Sequence, residues 1–134
     1  AAYTGATDNL PYKGGKSTWF EGGLNIPFMM KWKGHIPEGE VYEKPVSSLD
    51  IFMTIAKATN LALPKDRVYD GVNLVPYVNR VDKKDPHDVL FWRADHLYAM
   101  RTKNWKFLMS KRDNWVELYN ISRDKYELHD LNLE

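Results

Sequence analysis

At 134 residues the chain has the length of one ordinary domain, and 43% hydrophobic residues are enough to build a core. A formal net charge of +1, with acids and bases interleaved, leaves no basic tract that would mark a nucleic-acid partner. The lack of cysteine removes a disulfide framework, a thiolate metal site and a cysteine nucleophile from these residues. In chain order, the first 23 residues are rich in Gly, Thr and Lys and read as a loop around one short helical turn. Thr18 and Glu21 have the spacing of a capping box, with Gly22-Gly23 placed to end the turn at once. Leu24 to Trp32 is mostly apolar and reads as a buried strand despite Pro27.

Lys33 to Gly39 is a turn-rich connection to the strongest helix signal, which Ser47 or Ser48 caps and Asp50 supports from the first turn. Ile51, Ile55 and Ala58, with Phe52, Ala56 and Thr59 beside them, form one core-facing stripe, and the helix is expected to end near Asn60. Pro64, Lys65-Asp66-Arg67 and a short segment from Leu74 to Val78 follow; Asn79 to Asp88 is the most linker-like stretch. Beyond it the period changes. Val89 to Arg93, Leu97 to Thr102, Trp105 to Ser110 and Trp115 to Tyr119 are short runs separated by turn signals, the pattern of a small antiparallel meander. In the tail, Tyr126, Leu128 and Leu131 have helix-compatible spacing.

Gly14-Gly15-Lys16-Ser17 has the look of a phosphate loop, but a P-loop requires Gly where Leu10 stands and an apolar strand where Tyr3 to Thr7 is small and polar. What remains is a glycine pair presenting one ammonium at a fixed place, suited to an oxyanion, or else a solvated turn lysine. Trp92, Arg93, Asp95, His96 and Arg101 cluster around the first hairpin, either as a rim for a charged sugar or as a strand-edge ion cluster beside a packed Trp. His35, His87 and His129 fall in turn or tail contexts and read as solvated; four scattered histidines make no zinc site.

The wider run Leu10-Pro11-Tyr12-Lys13-Gly14-Gly15-Lys16-Ser17-Thr18-Trp19-Phe20-Glu21-Gly22-Gly23-Leu24-Asn25-Ile26-Pro27 resembles the sulfatase signature LRGGKxTxxEGGxRxP. Lys31-Trp32-Lys33-Gly34-His35-Ile36-Pro37-Glu38-Gly39 is similar to that family's KWPGxIPxG, and Val46-Ser47-Ser48-Leu49-Asp50-Ile51-Phe52 to xSSxDLFPT. Asp70-Gly71-Val72-Asn73-Leu74 resembles DGxxL, and Glu117-Leu118-Tyr119-Asn120-Ile121-Ser122-Arg123-Asp124 resembles ELYDLxxDPxE. The runs occur in family order, with the arylsulfatases and N-acetylgalactosamine-6-sulfatases as the nearest kinds.

The resemblance implies an α/β class, the C-terminal part of an alkaline-phosphatase-like fold, with a small antiparallel sheet and a C-terminal helix. Residues 1–80 would be the tail of the large catalytic domain and 85–134 the sheet subdomain. It implies hydrolysis of sulfate esters by a formylglycine hydrate made from Cys or Ser in a Cys/Ser-x-Pro-x-Arg context, beside a calcium ion. Both groups would be held mainly by residues outside this chain, which would be inactive alone; among the site residues none is assigned to a metal here. Lys16 matches the family lysine that contacts the sulfate, and is both the catalytic and a substrate-binding candidate; Arg93 and His96 are the other substrate-binding candidates. Asp8-Asn9 resembles the family's Asp-Asn-Gly metal motif, but Leu10 replaces the Gly, so it is taken as a decoy with the true pair before Ala1. Asn25 stands where the family has Arg.

The partner implied is a sulfated small molecule or glycan, without nucleic acid and without a membrane span, because no apolar run approaches the roughly 20 residues a bilayer requires. The start at Ala1-Ala2-Tyr3 reads as processed or truncated, and the family is commonly periplasmic, secreted or lysosomal. A strand at Ile26 to Trp32 without its neighbours would leave the chain prone to self-association. A free-standing carbohydrate-binding module and a phosphate or phosphonate monoester hydrolase of the same fold are the alternatives.

Overall fold

A computed structural model of the protein describes residues 8–133. The chain divides into two compact units, one built from the segments up to Phe28 and from Val89 onward, the other from Met29 to Asp88. The first holds a single helical turn, α1 (Glu21–Leu24), and the second holds α2 (Leu49–Ala58) and α3 (Val75–Val78). The first unit also holds β1 (Leu90–Ala94), β2 (Leu97–Arg101), β3 (Trp105–Ser110) and β4 (Trp115–Asn120), a four-stranded antiparallel meander in sequence order.

The meander follows the expected runs to within a residue or two. Its first and third hairpins turn at Asp95 (φ 51°) and Asn114 (φ 50°), residue types that enter the left-handed region at small cost. Strand pleat and register sort the side chains onto two faces. One carries Trp92, Ala99 and Leu108 in line and Arg101, Lys106 and Tyr119 in the next line. Ala99, Leu108, Tyr119 and Ile121 form the buried core there, with Trp19, Phe20, Trp92 and Trp115 packed around them. Burying Leu108, 1% exposed, is worth about 2 kcal/mol. The other face carries Phe91, Met100 and Phe107, with Phe91 largely exposed.

Three expectations for this unit are corrected. Leu24 to Trp32 is not a strand: past α1 it is irregular, with Ile26 60% and Met29 92% exposed. A strand exists only by pairing; Pro27 offers no N–H, and no described segment lies alongside. The capping box does not form, because Thr18 turns its hydroxyl to Gly15 and Glu21 goes into the interior. The C-terminal helix is a single 3-10 turn, Leu131–Leu133, since Asp124 and Asp130 side chains take the backbone N–H groups a helix would use.

In the second unit, α2 forms where Ser48 and Asp50 predict, but its buried face is not the apolar stripe. Ile51, Phe52 and Ile55 are exposed, whereas Asp50, Thr54 and Ala56 are buried. Asp50 Oδ1 accepts the Val72 N–H at 2.8 Å and Thr54 Oγ1 the Leu74 N–H at 3.0 Å, so α2 satisfies the backbone of the extended segment beside it. Gly71 permits this approach, since a Cβ there would stand 2.3 Å from the Leu49 carbonyl oxygen. The linker-like stretch is tied down: Lys44 Nζ meets Asp85 at 2.6 Å and Asn79 Nδ2 donates to the His35 carbonyl at 2.8 Å. The second unit ends at Asp88, and the lysine turn is grouped with the sheet.

Candidate functional site

Lys16 lies exposed in a tight turn closed by its own backbone. Thr18 N–H donates to the Gly15 carbonyl at 3.0 Å, and the Thr18 hydroxyl accepts from Gly15 N–H at 3.0 Å while donating to its carbonyl at 2.8 Å. Ser17 takes φ 71°, a left-handed conformation costly for a residue with a Cβ. Gly22 N–H donates to the Lys13 carbonyl at 2.9 Å, which ties the start of α1 to the entry of the turn. Gly23 leaves no room for a side chain, because a Cβ would meet the Thr18 carbonyl oxygen at 2.3 Å.

Both legs of the turn are fixed to the sheet. On the entry side, Lys13 Nζ donates to Tyr119 Oη at 2.8 Å and lies 4.2 Å from the centroid of the Phe20 ring. Tyr119 in turn donates to Glu117 Oε2 at 2.9 Å. Burial, reinforced by the Glu117 carboxylate, pushes the Tyr119 phenol far above its usual range.

On the exit side, Glu21 Oε1 meets Lys106 Nζ at 2.8 Å and Arg101 Nε at 3.3 Å. Lys106 Nζ also reaches Glu127 Oε1 at 2.8 Å, and Glu127 Oε2 accepts the Glu21 N–H at 2.6 Å. Glu21, Lys106 and Glu127 are all buried, and two carboxylates facing two cations leave the cluster neutral. Burial pushes the Glu127 carboxyl up, and Lys106 acts against that shift. Of these residues the sequence offers only Arg101 as a site candidate, in the hairpin rim; Glu21, Lys106 and Glu127 are not among them. The signal for Lys106 was its parity: it shares a strand face with Leu108 and Ser110, the buried side of β3.

The other candidates lie elsewhere. Arg93 is exposed on the sheet face opposite the one that packs Trp19 and Phe20, its guanidinium 5.3 Å from the Tyr98 ring centroid. That face has an open apolar depression of about 450 Å³ lined by Phe91, Met100 and Phe107 among others. His96 sits in the β1–β2 hairpin, with Nδ1 2.7 Å from Asp95 and Nε2 3.4 Å from Asp113. The His96 contact holds the Asp95 carboxyl below its ordinary range. By register this is the sheet end away from Lys106, since Leu97 pairs with Ser110 and Arg101 with Lys106.

Asp8 and Asn9 are engaged in their own loop: Asp8 Oδ1 accepts the Leu10 N–H at 2.9 Å and Asn9 Nδ2 donates to the Gly14 carbonyl at 3.3 Å. Asn25 closes α1 through its N–H to the Glu21 carbonyl. His35 stacks on Trp32 at 4.0 Å and His129 is exposed. His87, expected in solvent, is instead mostly enclosed, with Nε2 2.8 Å from Asp50 Oδ1, because its imidazole completes the shell around a fully buried carboxylate.

Among the described residues no three His, Asp or Glu side chains come together as a metal site. The serines lack a Pro-x-Arg context and the chain has no cysteine. The described residues thus offer neither a cluster of three carboxylate or imidazole ligands nor the sequence context from which a formylglycine is made. What the turn can do by itself is present an ammonium in a set place to an anionic oxygen.

A protein-family model described as Sulfatase matches residues 3–61. Human steryl-sulfatase is 39% identical over 102 residues, covering 71% of this chain and 18% of its own length. An uncharacterized sulfatase of Escherichia coli strain K12, YdeN, is 32% identical over 126 residues, 94% of this chain and 21% of its own. The mouse N-acetylgalactosamine-6-sulfatase is 34% identical over 110 residues, 81% of this chain and 21% of its own. The crystal structure of Ps i-CgsB superposes with a TM-score of 0.79 at 29% identity, covering 94% of this chain and 29% of that one. This chain thus spans less than a third of the length of each of these proteins.

Proposed function

Because the chain belongs to the sulfatase family, we propose that it contributes the sulfate-contacting lysine, Lys16, to a sulfuric ester hydrolase whose nucleophile and metal ligands lie outside these residues. The observation that supports this most directly is the lysine turn. An exposed lysine stands on a backbone fixed on both sides to a sheet, in the sequence context where the family places its sulfate contact.

In this role Lys16 lies against a non-bridging or leaving oxygen of the ester. Its positive charge balances the negative charge that grows as the S–O bond breaks, and a turn already held in place loses no reorganisation energy at that moment. A formylglycine hydrate would supply the nucleophile and calcium would polarise the sulfate. The implied substrate is a sulfated glycan or aryl sulfate, and the implied setting periplasmic or secreted.

The parent would divide into a large domain ending near residue 80 and a small sheet from 85, with the lysine turn of the first resting on the second. Arg93 and His96 enter the proposal as outlying substrate contacts; if they serve, their alanine variants raise KM without lowering kcat. The exposed Ile26, Phe28 and Met29 support self-association of the isolated chain, which light scattering on a dilution series reads directly.

The test is turnover of 4-nitrophenyl sulfate and 4-nitrophenyl phosphate by the full-length protein and its Lys16→Ala variant. Loss of about a hundredfold or more in kcat on the sulfate ester is expected. Unchanged kcat removes the lysine assignment, and a preference for the phosphate ester moves the protein to the sister hydrolases. A glycan bound tightly by this chain alone would favour the carbohydrate-binding alternative.

A further inference from the structure

We propose that Lys13, Glu21, Lys106 and Glu127 form a two-legged clasp whose task is to set the position of Lys16, making them positioning residues for sulfate transfer. This rests on the assignment of Lys16 as the sulfate contact. A surface turn of this length, closed by Gly15–Thr18 bonds, has no need of a fully buried ammonium between two buried carboxylates to remain folded. Buried ion clusters are expensive to desolvate and are often matched in stability by apolar packing. What such a cluster supplies that apolar packing does not is a single geometry.

The contacts are arranged around the turn. Lys13 stands three residues before Lys16 and is held on β4 by Tyr119; Glu21 stands five residues after and is held on β3 by Lys106. The two legs are joined by the Gly22 N–H to the Lys13 carbonyl at 2.9 Å, so neither shifts alone. Glu127 closes the exit leg from the tail, its own backbone at φ 59°, and grips the Glu21 N–H as its other oxygen meets Lys106. These contacts flank the segment that carries Lys16 on both sides. They are made by residues on either side of Lys16, so the clasp acts through backbone placement.

A displacement of about 1 Å in a catalytic group lowers turnover by up to about a hundredfold. Glu21→Gln keeps the shape of the exit leg and removes its charge. In the full-length protein with 4-nitrophenyl sulfate, Glu21→Gln is expected to lower kcat about tenfold or more while KM stays within about twofold.

The decisive comparison is the same substitution in a Lys16→Ala background. There Glu21→Gln is expected to leave the residual kcat unchanged while still lowering the melting temperature by as much as it does in the wild type. Equal fold losses in both backgrounds would overturn the clasp, because a general structural role multiplies whatever activity is left. Full activity in Lys16→Ala alone would remove the lysine assignment and the clasp together, which separates the two failures. Should Glu21→Gln not fold, Lys13→Met carries the comparison with the same expected pattern, since its side chain is 39% exposed and its loss empties no buried site.

Discussion

Lys13 Nζ and Tyr119 Oη, 106 residues apart in sequence, meet at 2.8 Å and join the entry of the lysine turn to the C-terminal end of β4. The bond is one step of a directional chain, with Lys13 donating to the phenol and the phenol donating to Glu117. Replacing Tyr119 by Phe keeps the ring packing against Phe20 and removes both steps. It should lower stability by about 1–2 kcal/mol, read as a shift in urea midpoint at unchanged slope.

The same phenol governs behaviour in base. Its folded pKa is raised above the unfolded value near 10, with burial the largest cause and Glu117 the next. A group raised in this sense contributes stability that is whole below the unfolded pKa and declines as pH rises through the range above it. Stability should therefore fall above about pH 10 in the wild type and fall less steeply in Tyr119→Phe. In a spectrophotometric titration at 295 nm, the Tyr119 phenolate signal is expected to appear only as the chain unfolds.

Removing Lys106 leaves Glu21 and Glu127 buried, with Arg101 still against Glu21 and the cation of Glu127 gone. Lys106→Met should cost about 3–5 kcal/mol at pH 7, the expense of an uncompensated buried charge. The sign with pH is set by Glu127, whose carboxyl burial raises and Lys106 lowers. Without Lys106 the raised state is accentuated, and a raised carboxyl favours the fold at low pH and loses that advantage as pH climbs. The deficit of Lys106→Met relative to wild type should shrink between pH 7 and about pH 5. A deficit that grew on acidification would show that Glu127 is not the responsible group.

The meander was legible because its code is local. Alternating apolar runs and turn residues specify each hairpin within about ten residues, and the strands land where the pattern puts them. The lysine turn was legible as a motif, but its attachments were not, since Lys13–Tyr119 and Glu21–Lys106 join residues 106 and 85 positions apart. The motif runs turn out to bind one another. Asp50, in the run after Ser47-Ser48, accepts the N–H of Val72 in the Asp70-Gly71 run, and Lys13 reaches Tyr119 in the Glu117-Leu118-Tyr119 run. Where sequence patterning misled, in the apolar stripe of α2 and the run from Leu24 to Trp32, the apolar side chains have no described cover. Periodicity predicts a buried face only when something is present to bury it.

Asp50 is fully buried and receives the Ser47 N–H at 2.7 Å, the Val72 N–H at 2.8 Å and His87 Nε2 at 2.8 Å. Three separate segments thus converge on one carboxylate. His87→Ala should lower the stability of the Met29–Asp88 unit by about 1–3 kcal/mol. Asp50→Ala should cost more than His87→Ala, because it strands the two backbone donors and the imidazole together. Hydrogen exchange at the Val72 amide distinguishes them: protection is expected to persist in His87→Ala and to vanish in Asp50→Ala.

Gly23 provides the test of how closely the lysine turn is packed on itself. A methyl group at that position would stand 2.3 Å from the Thr18 carbonyl oxygen and 2.5 Å from that of Gly15, both backbone atoms that cannot rotate aside. Helix propensity alone would make Gly23→Ala favourable by up to about 1 kcal/mol in α1. The clash acts the other way, at about 1–3 kcal/mol for overpacking, and should win because the atoms struck belong to the turn itself. Gly23→Ala is therefore expected to destabilise the sheet unit and to lower kcat in the full-length protein by opening the Gly15–Thr18 bonds. A neutral or stabilising result would show that the turn widens freely, and that Lys16 does not depend on its present geometry.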